Sequence, residues 1–187
     1  MPDIPGRLTV DLSARTYSAP DLRMRELKPM NQLRVQALRP RGNTVPAADL
    51  SKLPVTPNTT SGTDPIALWK GPDDWLVCSQ TLSVDGLNEW VSAIASGAAL
   101  LVADVSCANV VIELSGARAV ETLLRDCTLD LLGEAIPMGA CARTQFAQTS
   151  VMIHHASDPE AWLIFVDRSV TLHVWEWLVD SAGAPDS

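Results

Sequence analysis

Ile66-Ala-Leu-Trp-Lys-Gly-Pro-Asp-Asp-Trp-Leu-Val-Cys78 is the stretch on which the fold turns. Two short apolar runs, residues 66–69 and 75–78, flank Lys70-Gly-Pro-Asp-Asp74. Proline presets φ for a turn, glycine accepts almost any φ, and aspartate hydrogen-bonds nearby backbone. The segment therefore reads as a tight β-hairpin, and a hairpin joins antiparallel strands.

Upstream, Asn31-Gln-Leu-Arg-Val-Gln-Ala-Leu38 alternates polar and apolar residues, as a strand with one buried face does. Pro40 ends it, and residues 40–63 form a loop rich in Pro, Asn, Thr and Gly, with one short helix expected over 47–53. Before residue 29 no period is sustained, apart from a short run at residues 8–12 that reads as an edge strand.

Downstream, Ser83 caps a helix running to about residue 96, with Leu87, Trp90, Val91 and Ile94 on one stripe. Strands follow over 100–105 and 110–114. Ser115-Gly116 opens a helix over 117–125, with Val120, Leu123 and Leu124 expected inward. After Pro137 and Gly139 come strands over 142–147, 150–154 and 162–166, and Asp167 or Ser169 caps a closing helix. Hairpins mixed with a few crossing helices predict an α+β fold of mostly antiparallel sheet, with two split βαβ-like halves. The predicted organisation is an extended N-terminal arm over 1–28, one α+β domain over 29–181 and a disordered tail over 182–187.

The closing segment, Arg168-Ser-Val-Thr-Leu-His-Val-Trp-Glu-Trp-Leu-Val179, has more apolar surface than one core uses. At ~100° per residue its apolar positions cover an arc of about 220°, whereas a helix on one core needs a stripe of ~100° or somewhat more. Trp175 and Trp177 point ~160° apart, so one faces the core and the other needs a second surface. Trp175, Trp177, Leu178 and Val179 are accordingly the candidate interface residues.

Composition narrows the function classes. The 187 residues carry a net charge of −8, which disfavours a nucleic-acid backbone as partner. Residues 1–52 hold nine Lys or Arg against five Asp or Glu, a surplus of four, and nine of the 13 prolines lie in the first 65 residues. This is the pattern of an extended, slightly basic arm ahead of an acidic body. No apolar run approaches the ~18 residues of a membrane span, and the start lacks a signal-peptide core, so the cytoplasm is expected. The four cysteines, Cys78, Cys107, Cys127 and Cys141, have no ligand spacing and read as buried, reduced thiols.

Little chemistry is visible. No phosphate-cradling glycine motif is present. His154 and His155 are adjacent on a strand and point to opposite faces, so they do not converge on a metal; one is expected exposed and one semi-buried. His173 falls on the polar face of the closing helix. Asp104 and Ser106 share a strand face and form either an acid–base or small-ligand pair or a strand-end Asp–Ser turn. Asp73 and Asp74 read as turn residues.

Several segments in order carry a resemblance: Trp69-Lys-Gly-Pro-Asp-Asp-Trp-Leu76, Asp104-Val-Ser106, Leu114-Ser-Gly-Ala-Arg-Ala119, Cys127-Thr-Leu-Asp-Leu131, and Arg168-Ser169 followed by Trp175-Glu-Trp-Leu178. Over about residues 68–178 the chain resembles the gamma subunits of heterotetrameric sarcosine oxidase. That resemblance implies an aminomethyltransferase-like, folate-binding-type fold and a non-catalytic structural role. It implies assembly with alpha, beta and delta subunits, most directly the large alpha subunit, in a flavoenzyme that demethylates sarcosine oxidatively. FAD, FMN, NAD, tetrahydrofolate and zinc are then held by the other subunits, and no catalytic, cofactor or metal residue is assigned to this chain. The alternative is a folate- or amine-binding module of a related N-methyl amino acid oxidase, with its pocket near Asp104. Where folate-dependent relatives turn at a glycine after Asp-Val-Ser, this chain continues Cys107-Ala-Asn109.

Overall fold

A computed structural model describes residues 14–38, 50, 52–95, 99–131, 136–156 and 161–183. Its elements run β1 (Thr16–Ala19), β2 (Leu22–Glu26), β3 (Asn31–Ala37), β4 (Thr60–Ser61), β5 (Ile66–Gly71), β6 (Asp74–Ser79), α1 (Val84–Ile94), β7 (Leu100–Asp104), β8 (Asn109–Ser115), α2 (Ala119–Leu124), β9 (Cys141–Phe146), β10 (Thr149–His155), β11 (Trp162–Asp167) and α3 (Thr171–Gly183). A 3₁₀ turn over Arg168–Val170 joins β11 to α3.

The strands form two sheets, in the orders β1-β2-β8-β11-β10-β9 and β4-β5-β6-β3-β7, and every pairing is antiparallel. The hairpin lies where the sequence placed it, with Trp69 opposite Trp75 and Asp73 in the turn at φ 59°. β6 and β7 flank β3 on either side, with α1 as the crossover, so this half is a split βαβ unit. In the larger sheet, α2 carries the chain from β8 across β11 and β10 to β9.

Side-chain alternation shows the layering. On β11, Trp162, Ile164 and Val166 join the core beneath α2 and α3, whereas Leu163 and Phe165 point the other way. On β6, Trp75 and Val77 pack under α1, whereas Leu76 and Cys78 point the other way. The two "other" faces meet, with Met30, Leu68, Leu76, Val111, Met152 and Phe165 filling a third core between the sheets. The layers are thus helix, sheet, sheet, helices. Strands covered on both faces read as near-continuous apolar runs, and Val110-Val-Ile112 and Trp162-Leu-Ile-Phe-Val166 are such runs.

Ser83 caps α1 by accepting from the Gly86 amide, and Leu87, Val91 and Ile94 face the core with Trp90 half-buried beside them. In α2 the phase differs from expectation: Ala119, Thr122 and Leu123 are buried, and Val120 and Leu124 only flank the core. The helix starts two residues later than residue 117, and Leu123 alone of the three expected residues is fully inward, with Ala119 and Thr122 one turn and one residue before it on the same face.

Two of the predicted boundaries need correction. From Thr16 onward the "arm" is a hairpin, and β2 pairs with β8 inside the larger sheet, burying Leu22 and Met24. Residues 1–13, with the run at 8–12, lie outside the described residues. At the other end α3 continues to Gly183 with Ser181 and Ala182 buried, so the expected tail does not begin at 182; residues 184–187 lie outside the described residues. Most of the helix expected over 47–53 also lies outside them, and Lys52 and Leu53 are not helical. Among the described residues no helix is long and apolar enough to cross a membrane.

Candidate functional site

Asp104 ends β7, and Ser106 follows in the turn to β8. The Ser106 amide and hydroxyl both donate to Asp104 Oδ1, at 2.9 and 2.6 Å, and Ser106 Oγ accepts from the Gln32 amide at 2.9 Å. The Ser106 hydroxyl, and then its amide, hold the Asp104 carboxyl below the usual carboxylate range. A carboxylate so satisfied is a weak base. The same geometry recurs after β11, where the Ser169 amide and hydroxyl donate to Asp167 Oδ1 at 2.9 and 2.6 Å. Both Asp-x-Ser pairs are strand-end turns, the second capping the 3₁₀ turn.

The layer between the sheets is apolar in its middle and opens into two clefts. The first, about 420 Å³, is lined by Thr60, Asp64, Ser79, Gln80, His154 and Phe165 among others. Burial pushes the Asp64 carboxyl up, but hydrogen bonds from Ser79, Thr81 and the Gln80 amide outweigh it and leave it lowered. The second, about 410 Å³, is lined by Lys70, Asn109, Arg143, Ser150, Asp167 and Ser169 among others. Asp104 and Ser106 line neither. Neither of these two clefts is therefore the folate or amine pocket near Asp104 of the alternative reading.

His154 is 5% exposed and donates from Nδ1 to the Ala140 carbonyl at 2.9 Å. His155, on the opposite face, donates to the Ile136 carbonyl at 3.1 Å and stacks on Trp162 with centroids 4.2 Å apart. The divergence predicted from strand geometry holds, but neither ring is exposed. Burial lowers the His154 pKa, opposed by the Ala140 carbonyl and helped by His155. The folded state thus binds the His154 proton less readily than the unfolded chain, whose histidine titrates near pH 6.5. Stability from this group is complete above about pH 6.5 and falls as pH drops below it towards the folded pKa. His154→Gln should therefore flatten the decline in denaturation midpoint between about pH 7.5 and 5. Equal slopes for both proteins would show that His154 carries none of it.

Of the cysteines, Cys78 and Cys141 are buried in the interlayer, where burial raises both thiols, Cys141 to about 11. Cys127 is half-buried and Cys107 is exposed, against the expectation of four buried thiols. Cys107 lies in the short β7–β8 turn, where alternation no longer dictates facing. Among the described residues no group of three or more His, Cys, Asp or Glu side chains is placed to hold a metal.

The closing helix divides its apolar residues. Val174 and Leu178 are fully buried and Trp175 is 9% exposed, all in the chain's own core. Trp175 and Leu178 are therefore corrected from interface to core: their faces are already covered by β-sheet and α2. Trp177 and Val179 only flank that core, and Leu172 is 53% exposed. The Trp177 ring meets His173 with centroids 5.4 Å apart, and His173 Nε2 donates to the Ala147 carbonyl at 3.0 Å.

Comparison with known proteins bears on what such a chain is. Residues 42–184 match the model of the "Sarcosine oxidase, gamma subunit family". The chain belongs to this family. It is thus a gamma-type sarcosine oxidase subunit, as the ordered motifs implied. The sarcosine oxidase subunit gamma of Corynebacterium sp. strain P-1 is 26% identical over 183 residues, covering 95% of this chain and 88% of that protein. That of Arthrobacter sp. is 30% identical over 114 residues, 61% of this chain and 55% of that protein. Among solved structures, the heterotetrameric sarcosine oxidase of Corynebacterium sp. U-96 in complex with pyrrole 2-carboxylate matches with a TM-score of 0.75 at 23% identity, over 92% of this chain and 91% of that chain. Aminomethyltransferase T of the Bartonella henselae glycine cleavage system matches with a TM-score of 0.59 at 12% identity, over 84% of this chain but 45% of that chain. Both structures share the fold, and the aminomethyltransferase-like architecture expected from the sequence is the one observed.

Sequence reasoning did not single out Lys70, Arg143 or Asp64. Arg143 was legible in part, because it lies two residues from the buried Cys141 and shares its sheet face. That this face meets a second sheet was not.

Proposed function

We propose that this chain is a non-catalytic structural subunit of a heterotetrameric, flavin-containing sarcosine oxidase of the cytoplasm. The observation that carries the reading is the Asp104–Ser106 pair: in a member of an oxidase subunit family, the acid–base pair singled out in the sequence is engaged in its own turn. The chemistry, oxidative demethylation of sarcosine, then belongs to larger partners. These are alpha, beta and delta subunits, which would hold FAD, FMN, NAD, tetrahydrofolate and zinc. The docking face is the outer side of α3, where Trp177 and Val179 flank the core and Leu172 is exposed. Tryptophan at the margin of a core suits such a face, because it is enriched among interface hot spots.

Co-expression with the large subunits of the same host tests the reading. A yellow complex containing this chain is expected, with Asp104→Ala leaving turnover within about twofold of wild type. A stable monomer with no affinity for those subunits, or an Asp104→Ala complex that assembles but loses turnover, overturns it.

A further inference from the structure

The second interlayer cleft brings together two cations, Lys70 and Arg143, that have no carboxylate within ion-pairing distance among the described residues. Arg15, Arg25, Arg34, Arg118 and Arg125 each have a carboxylate within ion-pairing distance, Arg34 through a two-point contact with Asp74 at 3.0 and 2.8 Å. Among the described residues Lys70 and Arg143 have none, as is also true of Arg23, Lys28, Lys52 and Arg168, but Lys70 and Arg143 line the same cleft. They come from different sheets, Lys70 from the end of β5 and Arg143 from β9. Lys70 is half-buried: burial lowers its pKa, Arg34 and Arg143 lower it further, and only Asp74 opposes them. Like charges brought together in a partly desolvated place raise the free energy of the isolated chain. An anion seated between them reverses the sign of that interaction.

The rest of the lining fits an anion. Asn109, Thr149, Ser150 and Ser169 add amide and hydroxyl groups. The acidic group present, Asp167, has one carboxylate oxygen engaged by Ser169. Arg143 is exposed at the mouth, so the site is open to a group presented from outside. The chain as a whole is acidic, at −8, and does not attract an acidic partner through its overall field. Recognition by this cleft is therefore local, and local complementarity on a surface of the opposite sign sets register and specificity.

We infer that the Lys70–Arg143 cleft is a socket for a carboxylate-bearing side chain of a partner subunit, a second point of attachment distinct from the α3 face. The inference rests on the proposed role as an assembled subunit. Its test is the affinity of the co-expressed complex, with wild-type chain, Lys70→Met, Arg143→Met and the double variant, at about 0.05 and 0.5 M NaCl. Wild-type affinity should fall with salt, and the double variant should be weakened roughly tenfold or more at low salt and lose most of the salt dependence. Arg143→Lys should recover part of the loss, since it restores charge without the planar fork. A double variant that folds and assembles with wild-type affinity and salt dependence overturns the socket while leaving the assembled-subunit role intact. Wild-type chain that never assembles overturns both. A further arm titrates the isolated chain with inorganic phosphate: binding below about 0.1 mM that the double variant abolishes, with assembly unaffected, would make the cleft a small-anion site instead.

Discussion

Trp175→Ala is expected to lower folding stability by about 3–5 kcal/mol, and Trp177→Ala by less than half as much. The two residues sit one turn-half apart on α3, yet Trp175 is 9% exposed within the core beneath α2 and α3, whereas Trp177 lies at its margin against His173. Truncating a buried indole removes its transfer free energy and leaves a cavity that neighbouring β-strands cannot close. At the margin, water fills the gap, so little cavity penalty is expected. Assembly should show the reverse order, with Trp177→Ala weakening association by about 2 kcal/mol or more, as expected of a hot spot. Equilibrium denaturation of the isolated chain and affinity for the large subunits read the two effects separately. Equal losses of folding, with association unchanged, would make α3 a core helix only.

Gly116→Ala should cost about 2–5 kcal/mol. Gly116 adopts φ +104°, and a Cβ there would lie 2.3 Å from the Asp21 carbonyl oxygen and 2.7 Å from its carbon. The left-handed side of φ space costs a non-glycine residue roughly 1–2 kcal/mol, and forcing extra atoms into packed backbone costs about 1–3 more. That carbonyl cannot retreat freely, because it accepts a hydrogen bond from the Arg118 amide at 3.0 Å and belongs to the β1–β2 turn. Gly139→Ala supplies the control. Gly139 also has positive φ, at +82°, but a Cβ there meets nothing within 4 Å. It should show the φ penalty alone, about 1–2 kcal/mol. If the two variants lose equal stability, the clash with the β1–β2 turn is being relieved at no cost.

Gly116 also shows why the N-terminal hairpin was missed. Thr16-Tyr-Ser-Ala-Pro-Asp-Leu-Arg-Met-Arg-Glu26 does carry a signal: Pro20-Asp21 is a turn pair, and Leu22 and Met24 alternate with arginines. Two apolar residues in five are too few to distinguish a strand from a solvated arm, and the basic, proline-rich surroundings pointed to the arm. What makes the segment a strand is β8, 88 residues away along the chain where Arg25 meets Glu113. The edge of an existing sheet supplies hydrogen bonds that no local pattern announces. β4, two residues long, is invisible for the same reason.

The candidate site was legible to a similar depth. That His154 and His155 diverge follows from the two-residue period of a strand. That Asp104 and Ser106 satisfy one another was one of two readings, since spacing places them together without saying whether a cleft lies beside them. Cys107 could not be distinguished from its three namesakes, because burial of a turn residue depends on what covers the turn.

The sequence by itself determined the local pieces: the hairpin at Lys70-Gly-Pro-Asp-Asp74, the capped helix at Ser83, the strand runs, and the ordered motifs of a sarcosine oxidase gamma subunit. Turn chemistry and period-two alternation act over a few residues, so they are written where they operate. Tertiary structure alone decided which sheet faces meet, and hence that Lys70 and Arg143 share a cleft and that Trp175 rather than Trp177 fills the core. Apolar residues on two faces say only that both are covered. Which surface covers each is settled by packing between segments far apart in sequence, and that packing leaves one end of the interlayer, with Lys70 and the exposed Arg143, as an open cleft.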